Sequence, residues 1–134
     1  MDSPPFAPMS MQFPSGPWTG YFNYDAGGQR FRMDMIIHFA NHRITGEGGD
    51  LVGPFVIEGH YDSGAGDCSW KKSYVAAHDV WYSGFREGKG IWGTWHIKGS
   101  VHGGFHIWPV GDEPAETETA TKEEDVPETV GGIQ

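Results

Sequence analysis

Apolar and polar positions alternate with period two from about Gly16 to Pro109, the mark of strands that bury one face. The clearest stretch is Phe31-Arg32-Met33-Asp34-Met35-Ile36-Ile37-His38-Phe39. Phe31, Met33, Met35, Ile37 and Phe39 fall on one side of it, Arg32, Asp34 and His38 on the other. Ala40-Asn41-His42-Arg43 reads as a hairpin turn, because Asn tolerates the positive φ such turns require. A third strand is expected from Ile44 through Gly46 to Gly48, and a fourth with Phe55, Ile57, Gly59 and Tyr61 facing in. Asp62-Ser63-Gly64-Ala65-Gly66-Asp67 is a loop, and Cys68 and Trp70 begin a fifth strand that ends near Tyr74. His78, Val80, Tyr82 and Gly84 share a face of the sixth; Ile91, Gly93, Trp95 and Ile97 share one of the seventh. Gly103, Phe105 and Ile107 mark the eighth, and Trp18, Gly20, Phe22 and Tyr24 mark the first.

Eight short strands with short connections predict an all-β, up-and-down antiparallel meander, and no stretch supports an amphipathic helix. Core-facing positions alternate between bulky residues and glycine, at Gly20, Gly46, Gly59, Gly84, Gly93 and Gly103. Glycines inside strands mark sharp bends and crowded corners, which a closed barrel needs and which also let it dispense with unpaired edges. A two-sheet sandwich is the alternative with the same pattern. The expected organisation is an irregular Pro- and Met-rich arm over residues 1–13, a barrel over 14–109 and a disordered tail over 110–134.

Charge sharpens that division. The net charge of −9 is concentrated in the tail, where eight acids stand against Lys122 alone; this leaves −2 for everything before it. The folded part lacks the basic stripe that displaces counterions from DNA or RNA, so no nucleic-acid partner is expected. Cys68 is the single cysteine, which rules out an internal disulfide. The first residues have neither a basic nor an apolar leader region, and no window reaches transmembrane length. A soluble, cytoplasmic protein with no membrane partner is the expectation.

The run Trp70-Lys71-Lys72-Ser73-Tyr74-Val75-Ala76-Ala77-His78, followed by Ser83-Gly84, resembles the middle strands of the avidin/streptavidin barrels. There a Trp-Lys-Asn-x-Tyr-x-x-Ala-His run leads into an aromatic-Ser-Gly. Gly16-Pro17-Trp18, Gly59-His60-Tyr61-Asp62-Ser63 and Ile91-Trp92-Gly93-Thr94-Trp95 fit the same order. The likeness implies an eight-stranded meander barrel of the avidin/calycin kind. It places Trp70 and Trp95 on the family's biotin-wall tryptophans and Tyr82 near a third. The family's polar biotin ligands do not follow. Its first-strand Asn falls at Gly20, its third-strand Tyr and Ser near Gly48 and Asp50, and the Ser and Thr after the His at Asp79 and Trp81. Gly103 and Gly104 stand where the last-strand Asp would be. Each missing partner of a buried ureido group costs roughly 1–3 kcal/mol, so tight biotin binding is not expected.

Seven histidines raise a metal reading. His102 and His106 share a face, but four residues of strand span about 13 Å, too far for one ion; His96 and His106 meet only if the register allows. No metal site and no cofactor are expected. His60 and Asp62 lie about 7 Å apart along a strand, and there is no nucleophile elbow or paired-acid motif, so no catalytic residue is assigned. The expected ligand-binding residues are Trp70, Tyr74, His78, Tyr82 and Trp95, lining one interior wall, with His78 inward by parity. Outward, Trp81, Phe85, Trp92 and Trp108 on adjacent strands predict an apolar interface. The reading is a non-enzymatic barrel that holds a small apolar or aromatic ligand and forms a homodimer or higher homo-oligomer. Two alternatives are kept: a barrel enzyme acting on a hydrophobic small molecule, and an accessory domain whose acidic tail binds a basic partner.

Overall fold

Each apolar residue of the alternating pattern is directed to one side of its strand, and eight such strands close on one another around a single core. The computed structural model describes residues 13–24, 28–75, 77–99 and 101–114. Its elements are β1 (Gly16–Tyr24), β2 (Arg30–Ala40), β3 (Arg43–Asp50), β4 (Gly53–Tyr61), β5 (Asp67–Tyr74), β6 (Asp79–Glu87), β7 (Gly90–Ile97) and β8 (Val101–Pro109). Neighbours in sequence pair antiparallel, and β1 also pairs with β8, from Trp18↔Pro109 to Tyr24↔Gly103. The sheet is therefore a closed eight-stranded meander, and the sandwich alternative is excluded. Among the described residues there is no helix, and so none long and apolar enough to cross a membrane.

On β2, Met33, Met35 and Ile37 are buried, while Arg32, Asp34, Ile36 and His38 between them are exposed. The β2–β3 turn is the two-residue hairpin the sequence predicts. Asn41 and His42 both have positive φ, at 53° and 68°, the combination whose twist matches the flanking strands. β3 runs two residues beyond the expected end at Gly48, so Asp50 joins the inward row of Ile44, Gly46 and Gly48.

The two ends of the barrel differ. At the end where β1 begins and β8 finishes, Phe13 is buried against Phe39 and Tyr61, each with ring centroids 5.2 Å away, and Trp18 lies 5.6 Å from Phe39. This apolar plug seals that end, so Phe13, expected in the irregular arm, is part of the core. The rest of the arm, 1–12, and tail residues 115–134 lie outside the described residues. Residues 110–114 turn back along the barrel: the Val110 N–H donates to the Pro17 carbonyl at 2.9 Å, and Asp112 pairs with Lys89 at 3.7 Å. At the opposite end the interior is polar.

Candidate functional site

Parity along β5 sends Cys68, Trp70, Lys72 and Tyr74 into the barrel. Three of these are ordinary core residues, whereas Lys72 carries an amine whose side chain is only 2% exposed. An isolated buried ammonium is very costly, so it must be paired. Asp50, at the end of β3 and with a fully buried side chain, supplies the partner: Lys72 Nζ lies 2.8 Å from Asp50 Oδ2. The Tyr74 hydroxyl donates to the same oxygen at 2.6 Å. The other oxygen, Oδ1, accepts the Val52 N–H at 2.9 Å, which ties the exposed Leu51–Val52 turn to the interior.

Four rings surround the ammonium. Phe22, Phe55, Tyr74 and Tyr82 have centroids 4.7–5.0 Å from Nζ, within the range of cation–π attraction. Met33 Sδ lies 3.8 Å from Nζ and 3.9 Å from the Tyr82 hydroxyl. Burial pulls the Lys72 pKa below the ordinary lysine value, against the opposing pull of Asp50. Burial, followed by the Asp50 hydrogen bond and charge, raises Tyr74; burial also raises Tyr82, with Tyr74, Asp50 and Tyr24 adding to it. Tyr24, 44% exposed, stands at the rim of this group with its ring 5.1 Å from Trp95.

Trp70, Tyr74, Tyr82 and Trp95, expected in the interior, are all there and buried. Trp70, Tyr82 and Trp95 stand side by side across β5, β6 and β7, as one wall requires, and their ring contacts divide along it. Trp70 and Tyr82 stack at 5.4 Å with planes 10° apart, and Phe105 packs edge-on against both. Trp95 packs instead with Phe22 and Tyr24, and its indole N–H donates to the carbonyls of Asn23 and Gly104, each at 3.1 Å. His78 is a correction. It precedes β6 and is exposed, so its side chain is no inward group, and only its ring edge meets Tyr74, at 5.6 Å.

The inward glycines do not leave the free volume their small size suggests. A Cβ on Gly93 would lie 2.9 Å from Phe105 Cε1, and one on Gly103 would lie 2.8 Å from Trp95 Cζ2. Rings lie over Gly84, Gly93 and Gly103, and at Gly20, Gly46 and Gly59 the neighbouring strand's backbone stands where a Cβ would go. Lys72 and Asp50 were missed as site residues, although each had a signal. Lys72 sits between two inward aromatics at period two, and Asp50 continues the inward row of β3.

Outside, Trp81 and Phe85 are 37% and 52% exposed, and Trp92 and Trp108 are half-buried. Phe85 stands opposite Trp92, and Trp92 stacks on His106 at 3.8 Å. Trp108 and Tyr21 meet the other side of His106, at 4.8 and 6.0 Å. His106 is thereby buried although it faces outward. Trp81 belongs to a separate pair, stacked on His96 at 5.9 Å. The register sets His96 opposite His102, not His106, so the suggested His96–His106 meeting does not occur. Among the described residues no three His, Cys, Asp or Glu side chains converge as a metal site would require. A second outer surface was not anticipated: a groove of about 630 Å³ over β1–β4, floored by Ile36, Val56 and Val75 and flanked by Asp34 and Glu47.

No protein-family model matches the sequence, and no curated protein matches it.

Proposed function

We propose that this chain is a non-enzymatic binding barrel. It takes one small, flat, mostly apolar or aromatic ligand through the end marked by Tyr24, Asp50 and Tyr74, and it associates with copies of itself through the outer face around Trp92. The observation that carries the reading is the difference between the two ends. One is sealed by Phe13, Trp18, Phe39 and Tyr61, while the other gathers hydroxyls, an amine and a carboxylate among aromatic faces. A small-ligand site combines apolar walls with a few polar groups that fix orientation, and the mouths of β-barrels are frequent places for one. The likeness of residues 70–78 to the avidin barrels supports a site at the same strands, with a ligand other than biotin.

Trp70 and Trp95 lie within the barrel and report on its interior. Titration with a flat aromatic probe is expected to quench their emission saturably and with one-to-one stoichiometry. Absence of a saturable response from any aromatic probe would overturn the interior site. For self-association, the support is the continuous run of rings from Phe85 through Trp92 and His106 to Trp108 and Tyr21. The protein is expected to sediment as a dimer or larger, and Trp92→Glu to shift it towards monomer. A monomeric wild type at high micromolar concentration rules that part out.

A further inference from the structure

The polar end holds two buried donors, the Lys72 amine and the Tyr74 hydroxyl, and both point at one carboxylate oxygen. That carboxylate does not come from the barrel wall opposite but from Asp50, where β3 passes into its turn with β4. The turn is the less well made of two comparable hairpins. Asn41 and His42 in the β2–β3 turn have the positive φ that suits strand twist, whereas Leu51 and Val52 do not. Leu51 and Val52 are exposed apolar residues, and the Asp50 side chain holds the turn through the Val52 N–H. Asp50 thus joins a weakly determined turn to a strongly determined pair of donors.

We propose that Asp50 is the chain's own stand-in for a ligand's carboxylate, and that Lys72 and Tyr74 are the anchoring donors of a site for small aromatic monocarboxylates. This inference rests on the proposed reading of a ligand held at that end of the barrel. In the exchange Asp50 swings out with its turn and becomes hydrated, while the ligand's carboxylate takes the place of Oδ2. One buried carboxylate replaces another, so the number of buried charges is unchanged. The heavy desolvation cost of burying the ligand's carboxylate is offset by the rehydration of Asp50. The ligand's ring lies where the turn now stands, against Tyr24 and Tyr74, so the gain comes from aromatic contact. A single positive charge faces the ligand, which selects a monoanion. A dianionic phosphate would leave excess negative charge buried, and an ammonium would confront Lys72 directly.

The experiment compares three probes of one shape, naphthoate, naphthamide and naphthylmethylammonium, by quenching of tryptophan emission. The proteins are the full-length wild type and Asp50→Ala. Naphthoate is expected to bind the wild type at least about tenfold more tightly than naphthamide, the margin of one charge-assisted hydrogen bond. Asp50→Ala, which removes the internal competitor and frees the turn, is expected to tighten naphthoate by a further order of magnitude and naphthamide by clearly less. Acetate should raise the thermal midpoint of Asp50→Ala and leave that of the wild type alone. Should Asp50→Ala fail to fold, Asp50→Asn keeps the side chain's shape and must show the same tightening. Equal binding of naphthoate and naphthamide, or naphthoate no tighter in either variant, overturns the carboxylate assignment while the interior site stands. Failure of all three probes to bind overturns both.

Discussion

Breaking the buried pair one partner at a time, and then both together, is the sharpest test of the interior. Lys72 and Asp50 have side chains 2% and 0% exposed and lie 2.8 Å apart. Removing one member of such a pair leaves an uncompensated charge and costs about 3–5 kcal/mol. Lys72→Met falls at the low end of that range, since Asp50 keeps the Tyr74 hydroxyl and the Val52 N–H. Asp50→Asn leaves the ammonium without its carboxylate among the four rings that already surround it in the wild type, and its cost falls within the same range. The double variant buries no net charge and should lie within about 1 kcal/mol of wild type, because replacing a whole buried pair is often neutral or stabilising. The coupling is then at least about 5 kcal/mol, a large share of the 5–15 kcal/mol typical of a domain. The Arg43–Glu58 pair, 3.3 Å long but with side chains 55% and 64% exposed, is the control and should couple by less than about 1 kcal/mol. The assay is urea unfolding near neutral pH followed by tryptophan emission. Single losses below about 1 kcal/mol that simply add would refute the description of a dry, caged ion pair.

Gly93→Ala sets a methyl within 2.5 Å of the Ser83 carbonyl oxygen and of Gly84 Cα, backbone of the paired strand that cannot turn aside, and should cost about 3 kcal/mol or more in urea unfolding. Gly28→Ala, which meets nothing within 4 Å, should change stability by less than about 0.5 kcal/mol; equal effects would show that the glycines are not packing sites. Phe13→Ala opens the sealed end and should cost about 3–5 kcal/mol, read as a lowered thermal midpoint; an unchanged midpoint would mean the plug does not form. Stability should also decline in alkali. Burial and the charge of Asp67 push the Cys68 thiol from 9.0 to about 12, and Tyr74 and Tyr82 are raised above 10.0. The folded state therefore keeps protons that the unfolded chain releases. Their contribution is complete below 9.0 for Cys68 and below 10.0 for the tyrosines, then is lost as pH rises, at up to about 1.4 kcal/mol per group per pH unit. Lys72, lowered from 10.5, acts with the opposite sign below that value and partly masks the onset. Cys68→Ala should remove the earliest part of the decline, and a urea midpoint that stays level from about pH 8 to about pH 11 would contradict the burial of these groups.

Period-two alternation was enough to locate eight strands and the apolar part of their inward rows, because burial on one face is a local constraint that every strand must satisfy alone. Asn41 likewise announced its hairpin through a local φ preference. What escaped depends on neighbours far away in sequence. Gly48-Gly49-Asp50 has the composition of a turn, and only pairing with Met33 to Met35 on one side and Gly53 to Phe55 on the other extends β3 through it. Lys72 reads as a surface charge until Asp50, 22 residues earlier, is brought beside it. His106 has the parity of an exposed residue and is buried by Trp92 across the ladder. His78 failed for the opposite reason: strand parity was carried to His78, which lies between the end of β5 at Tyr74 and the start of β6 at Asp79. The glycine argument mistook a missing side chain for empty space, where the backbone of the neighbouring strand stands within about 2.5 Å of where a Cβ would lie, with a ring added at Gly84, Gly93 and Gly103.

The closure of β1 on β8 has a consequence for how the chain reaches this state. Every other ladder joins strands adjacent in sequence, so each can grow from its own hairpin over a short loop. The seam alone must bring together segments separated by almost the whole described chain, and it bears the largest loop-closure entropy. Pro17 and Val110 meet there, so the first and last strands of the barrel lie end by end. A circular permutant that links the segment after Val110 to the segment before Pro17 and opens the exposed Gly88–Lys89 turn would keep all eight ladders while turning the seam into a hairpin. The slowest search would move to β6 and β7, and the order in which the cylinder assembles would be decided by where the chain is cut and not by the finished shape.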